Sequence, residues 1–358
     1  MKMFGFLRTF LALMVMAFHL FASVAPLGRY AVFGFYIISG YLMTLIMHES
    51  YGYTWSGRRA FLVNRFLRLY PQYWAAALVS VLLLVWQGQG SLTRFHPSIY
   101  TPSSVSEFFS NVTMVFPSWQ PHTVNPRLVP PAWALTIELF FYAIICMGVS
   151  RTRKRTTLWV VLSLVYVFWS FVAGLNPESR YFPVAAASLP FSVGSFVYFA
   201  SKSKRLRRMC SQLKIASWQL FIGMLANCLG WMILSVLKIG LLVELGVYIN
   251  IIICGLLVLR ISTGDEILQI SRRVDKAIGD FSFPVYLLHY QCGFVASFLL
   301  FGDPFHEFSV RGFASFTLAL CVVIALSSVF IFAIDFPLQR IRKRVRRKST
   351  RMADDELG

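Results

Sequence analysis

Arg8 and His19 stand eleven residues apart in the apolar stretch RTFLALMVMAFHL. On an α-helix that spacing is three turns plus about 20°, so both fall on one face, roughly 16 Å apart along the axis. An ionisable group inside a hydrophobic block is costly unless paired or hydrated, so each is a site candidate. Taken singly, Arg8 also reads as a cation snorkelling to a membrane surface. His19 alone reads equally as a hydrogen bond between helices. Together on one stripe they read as two ends of a channel, with a cation at the mouth and an imidazole within.

Three further groups belong to the same short list. Glu138 lies in PPAWALTIELFFYA, about 9 Å inside its apolar block at six residues of helical rise. His289 lies in GDFSFPVYLLHYQ, roughly 15 Å in from Gly279, with Pro284 expected to kink the segment. These depths allow His19, Glu138 and His289 to meet at mid-depth. Glu244 sits nearer the outer end of its block, where a structural role is equally open.

Between blocks, SGRRAFLVNRFLRLYPQYW carries the doublet Arg58 and Arg59, and Arg65 and Arg68 share a helix face. Pro71 reads there as the boundary at which the next span begins. Clustered arginines hold phosphate groups bidentately, although membrane topology also places arginines in such segments. Histidine near neutral pH is a general base or a nucleophile, and a carboxylate can orient it or stabilise its cation. The set describes a phosphorylated donor on one side, a buried base, and an opening to the other side. Group transfer across a membrane fits it. Buried His and Glu also build proton relays, so a proton-coupled transporter of a glycan or small metabolite is the alternative.

The elements that must position these groups are membrane helices. Hydrophobic residues make up 57% of the 358-residue chain and charged residues only 14%, well below the roughly 25% of soluble domains. The mean hydropathy is +0.64. The apolar residues fall into ten blocks, near 4–24, 28–48, 70–87, 132–150, 156–174, 184–200, 215–236, 239–259, 279–301 and 312–334. Each is about the length that crosses the hydrocarbon core.

With the N-terminus inside, the cytoplasmic segments hold 28 of the 34 Lys and Arg residues, leaving six outside. That asymmetry places both termini in the cytoplasm. It also explains most of the net charge of +19 without nucleic acid. The expected fold is therefore all-α, a polytopic helical bundle. Residues 1–335 form the transmembrane domain and 336–358 a basic tail suited to anionic lipid.

The first block ends in Ser23-Val24-Ala25, a small-x-small pattern, but Pro26 disfavours cleavage, so it reads as a retained span. The Pro-rich outer segment 88–131 is expected to form a structured or re-entrant loop. Asn111-Val112-Thr113 matches a glycosylation sequon of low specificity. The six cysteines, Cys210 among them, show no metal or disulfide spacing and read as small apolar fillers; no metal is expected.

Five stretches, in order along the chain, resemble the membrane-bound acyltransferase-3 family of bacterial O-acyltransferases. They are Arg8-x10-His19, AVFGFYIISGY at 31–41, RFLRLYPQYW at 65–74, WALTIELFFY at 133–142 and SFPVYLLH at 282–289. Ala31, Tyr36 and Ala134 stand where the family often has Gly, Phe and Ser, and Ala134 removes a hydroxyl.

The resemblance implies a cytoplasmic acyl-CoA donor, most commonly acetyl-CoA, and a sugar hydroxyl acceptor at or beyond the outer face of a bacterial inner membrane. The acceptor would be a surface or exported polysaccharide, such as exopolysaccharide or lipopolysaccharide, or a lipid-linked precursor. It makes His19 the catalytic base or acyl carrier; beside it, the residues themselves offer Glu138 and His289 as second candidates, for orienter and polar support. Arg8, Arg65 and Arg68, with Arg58 and Arg59, would hold the donor's phosphates, and Ser39 and Tyr142 would line the substrate pocket. Some members carry a C-terminal SGNH hydrolase-like domain. None is expected here, so the chain would finish the transfer itself or with a partner.

Overall fold

The computed structural model describes residues 4–22, 25–205, 208, 215–237 and 240–355. Ser23, Val24 and Cys210 lie outside the described residues. In order come α1 (Gly5–Leu20), α2 (Ala25–Ile46), α3 (Trp55–Phe95), α4 (Val105–Thr113), α5 (Ala132–Met147) and α6 (Arg153–Val172). They are followed by α7 (Val184–Lys202), α8 (Ser217–Val236), α9 (Gly240–Thr263), α10 (Arg272–Phe301), α11 (Val310–Phe330) and α12 (Phe336–Asp355).

No strand occurs among the described residues. Helices prevail because a backbone in hydrocarbon must satisfy its own N–H and C=O groups. Eight helical stretches among the described residues are long and apolar enough to cross a membrane. The shorter apolar helices α1 and α5 complete the expected set of ten. Thr54, Ser104, Thr152, Ser271 and Ser309 cap α3, α4, α6, α10 and α11 by accepting a first-turn backbone N–H.

Helix α3 departs from the sequence expectation. It starts at Trp55, so the arginine-rich segment is helical and continuous with the span, and Pro71 lies inside the helix rather than at its start. The reason is amphipathicity. Phe61, Asn64 and Leu69 are buried on one face while Leu62 and Phe66 stay exposed. The helical run is interrupted at Gly88, whose φ of 75° and ψ of 159° are non-helical. That break lies where the third apolar block ends.

Helix α1 packs on α10 and α2, α2 on α7 and α9, and α10 on α11 and α3. Two crossings are close because glycine lies at the contact. A Cβ on Gly279 would stand 2.5 Å from the Cα of Gly5, and one on Gly40 would stand 2.1 Å from the Phe191 carbonyl oxygen. Small residues at such crossings let membrane helices approach.

The outer segment folds as an ordered loop around α4. Buried Arg127 donates from Nε to the Pro130 carbonyl at 3.1 Å and from Nη1 to the carbonyls of His122 and Val124. Asn111 of the sequon is buried, donates to the Pro126 carbonyl at 2.8 Å and accepts from the Leu128 N–H at 2.9 Å. It is therefore a structural residue of the loop.

Cys146, Cys228, Cys254 and Cys292 are buried, as small fillers should be, whereas Cys321 is exposed. The start of the basic tail is helix α12, which packs on α3. Asn64 Nδ2 donates to the Arg342 carbonyl at 3.2 Å there.

Candidate active site

Helix α1 carries both Arg8 and His19, and α10 fixes where it stands. The carboxylate of Asp275 on α10 accepts the backbone N–H groups of Gly5 and Phe6, each at 2.9 Å. It supplies the cap that α1 lacks in its own sequence. Thr9 Oγ1 donates to the Ile278 carbonyl at 2.6 Å. The Gly5–Gly279 crossing then sets the axial register between the two helices.

Arg8 opens into a cavity of about 810 Å³ of empty space, counting the part continuous with solvent. Arg65 and Arg68 line it from α3, Ser39 from α2, Glu138 and Tyr142 from α5, and Tyr286 from α10. Ser39 Oγ donates to Glu138 Oε1 at 2.5 Å, and the Tyr142 hydroxyl donates to the same oxygen. Arg8 lies within Coulombic range of both Arg68 and Glu138.

Arg68 donates from Nη1 to Asp335 at 2.8 Å, and Arg342 reaches the same oxygen at 3.0 Å. Asp335 is placed there by a π-helical turn, Ile331–Asp335, at the end of α11. The Arg65 guanidinium lies over Phe61, 5.8 Å from the ring centroid, and its Nε is buried with no protein partner. The cavity is thus walled by apolar side chains, with three cations and one carboxylate converging on it. This donor set suits a polyanion with phosphate groups. Arg58 and Arg59 are not brought to this cavity. Arg59 is exposed, and Arg58 meets Cys146 through its carbonyl.

Further along α1, His19 belongs to a second cluster. Its ring stacks on that of His289 at 5.3 Å between centroids, with 19° between planes. Its Nδ1 pairs with the Tyr290 hydroxyl at 2.6 Å. His289 is fully buried and meets the Tyr286 carbonyl through Nδ1 at 2.8 Å. A carbonyl only accepts, so Nδ1 carries the proton and a neutral His289 presents its lone pair on Nε2. That Nε2 has no protein partner. His96, just beyond α3, stands edge-on to Tyr290 at 4.6 Å. Burial, with Arg127 adding to it, pushes its pKa down to about 3.

The expectation that His19, Glu138 and His289 meet is therefore met only for the two histidines. Glu138 finds its donors in Ser39 and its own-turn neighbour Tyr142, in the cavity with the arginines. Tyr286 connects the two places. Its side chain lines the cavity and its carbonyl holds His289.

Glu244 forms a two-point ion pair with Arg180, at 2.5 and 2.8 Å, which settles it as a structural link between α9 and the segment before α7. Two of the three positions that depart from the family pattern face each other, since the Tyr36 hydroxyl donates to the Ala134 carbonyl at 3.4 Å. A hydroxyl on α2 thus lines the cavity where Ala134 offers none. Tyr290, Tyr286 and His96 carry no fixed charge that marks them in the sequence as Arg8 and Glu138 are marked. Residues 282–294 of α10 are all buried, so successive side chains face different neighbours inside the bundle, and no periodicity singles these positions out.

Comparison with known proteins gives a family model, described as an acyltransferase domain, that matches residues 4–332. A putative peptidoglycan O-acetyltransferase, YrhL of Bacillus subtilis (strain 168), is 29% identical over 223 residues, covering 58% of this chain and 35% of that protein. The peptidoglycan O-acetyltransferase OatA of Listeria monocytogenes serovar 1/2a is 26% identical over 223 residues, covering 56% of this chain and 34% of that protein. The match thus spans about a third of the length of these relatives. No solved structure matches the chain.

Proposed function

Because the chain belongs to this acyltransferase family, we propose that it is an integral-membrane O-acetyltransferase moving an acetyl group from cytoplasmic acetyl-CoA to a sugar hydroxyl. The observation that carries the donor assignment is the cavity shared by Arg8, Arg65 and Arg68, with a buried Arg65 Nε that no protein group satisfies. The donor's phosphates dock on Arg8 and Arg65, while Arg68 divides its charge between ligand and Asp335.

The pantetheine arm then runs along α1 towards His19, roughly 16 Å further on. There His19 takes the proton of the acceptor hydroxyl as its oxygen bonds to the thioester carbonyl carbon, or receives the acyl group first. The carbon–sulfur bond breaks and the thiolate leaves with a proton. The acceptor belongs to an exported or surface glycan, or its lipid-linked precursor. The names of the two relatives make peptidoglycan the first acceptor to assay.

The test compares His19→Ala with wild type at matched membrane expression, reading ester-linked acetyl on isolated glycan. Unchanged ester would remove His19 from the reaction. In the same membranes, Arg65→Ala plus Arg68→Ala weakens acetyl-CoA binding at least tenfold. Each hydrogen bond to a charged group is worth about 1.5–3 kcal/mol, and tenfold corresponds to about 1.4 kcal/mol.

A further inference from the structure

The triad logic that made Glu138 an expected orienter of His19 leaves a vacancy, because Glu138 stands in the arginine cavity. Tyr290 is the group that occupies the orienting position. Its hydroxyl is 2.6 Å from His19 Nδ1. Its ring is boxed by Phe95, His96 and His289, with centroids 6.4, 4.6 and 4.6 Å away, and only 4% of the residue is exposed. The phenol therefore has little freedom to leave the imidazole.

Resting on the reading of His19 as the reacting group, we propose that Tyr290 is its positioning residue, holding Nδ1 so that Nε2 is the nitrogen offered to the acyl donor and the acceptor.

A hydroxyl suits this place chemically because it both donates and accepts. When the His19 proton is on Nε2, Tyr290 donates to Nδ1. When Nε2 is a lone pair, or has just taken the acceptor's proton, Nδ1–H donates to the Tyr290 oxygen. One contact thus serves both protonation states without moving a helix. In the base route the acceptor proton passes to Nε2 and then to the departing thiolate, so atoms and charge balance and Tyr290 neither gains nor loses a proton overall. Phenylalanine at 290 can do neither, and it leaves Nδ1 unpaired.

Tyr290→Phe is expected to lower kcat at least tenfold while the KM for acetyl-CoA stays within twofold, since the phosphate cavity is untouched. Incorporating 3,5-difluorotyrosine at 290 keeps the ring and the contact but makes the hydroxyl more acidic. It is expected to restore most of kcat and displace the pH profile. His289 on α10, His96 beyond α3, His306 beyond α10 and Arg127 in the outer segment also bear on this pair electrostatically; they are identical in all three proteins, so the displacement belongs to residue 290. A kcat for Tyr290→Phe within twofold of wild type, or superimposable profiles for the fluorinated protein, would overturn the proposal.

A readout that needs no activity is the rate at which diethyl pyrocarbonate labels His19, followed by mass spectrometry. The rate is expected to change in Tyr290→Phe at His19 and not at His48, which lies in the turn after α2 with its Nε2 on the Ser150 carbonyl. If it does so while wild type transfers no acyl group, the proposed function fails and the pairing stands. An unchanged rate sinks the pairing itself.

Discussion

At the scale of single residues, Glu138 shows how a charge can be read correctly as unusual and assigned to the wrong neighbours. A carboxylate at that depth needs donors, and sequence alone does not say which. Ser39 and Tyr142 supply two hydroxyls, and Arg8 supplies a nearby cation. Two substitutions separate its roles. Glu138→Ala leaves both hydroxyls without an acceptor, at about 1–3 kcal/mol for each unsatisfied group, and the expected result is a lower Tm in detergent. Glu138→Gln keeps an acceptor oxygen and removes one negative charge from a cavity proposed to hold a polyanion. It is expected to preserve Tm and to tighten acetyl-CoA binding several-fold by titration calorimetry. Weaker binding would show that the carboxylate itself contacts the donor. Arg8 and His19 were legible because helical spacing is rigid over eleven residues. Tyr290 was not, because its pairing with His19 joins residues 271 positions apart and depends on how α1 and α10 are rotated against each other.

At the scale of elements, that rotation is held by the Gly5–Gly279 crossing, by Asp275 capping α1 and by the Thr9–Ile278 hydrogen bond. Gly279→Ala places a methyl only 2.5 Å from the Gly5 Cα. The helices must separate, at about 1–3 kcal/mol by analogy with overpacked cores. Because α1 carries both Arg8 and His19, the expected outcome is a lower Tm together with a large loss of acyl transfer. Gly223→Ala on α8, where nothing lies within 4 Å of the added Cβ, is the matched control and should change neither. Equal behaviour of the two variants would mean that the close crossing does not hold the site. Ten apolar blocks were readable as spans since hydropathy averages over about 20 residues. The same averaging hid the start of α3, where buried Phe61 and Leu69 alternate with arginines along one amphipathic helix.

At the scale of the whole molecule, two chemically different places lie along one pair of helices. The arginine cavity sits by the start of α1 and the histidine cluster near its end. The proposed transfer from acetyl-CoA therefore requires that the start of α1 face the cytoplasm. The charge distribution favours that orientation even without the site, since leaving out Arg8, Arg65 and Arg68 keeps 25 of the other 31 cationic residues in the segments assigned inside. Two exposed positions test it. Trp55, 82% exposed, opens α3 on the proposed inner side, and Val105, 74% exposed, opens α4 in the outer segment. In a background of Cys210→Ser and Cys321→Ser, which removes the exposed thiol among the described residues and the cysteine outside them, Val105→Cys should react with a membrane-impermeant maleimide on intact cells. Trp55→Cys should react only after permeabilisation. The reverse pattern would turn the molecule over and place the arginine cavity outside. A CoA donor could not then be reconciled with Arg8, Arg65 and Arg68, whatever the histidines do.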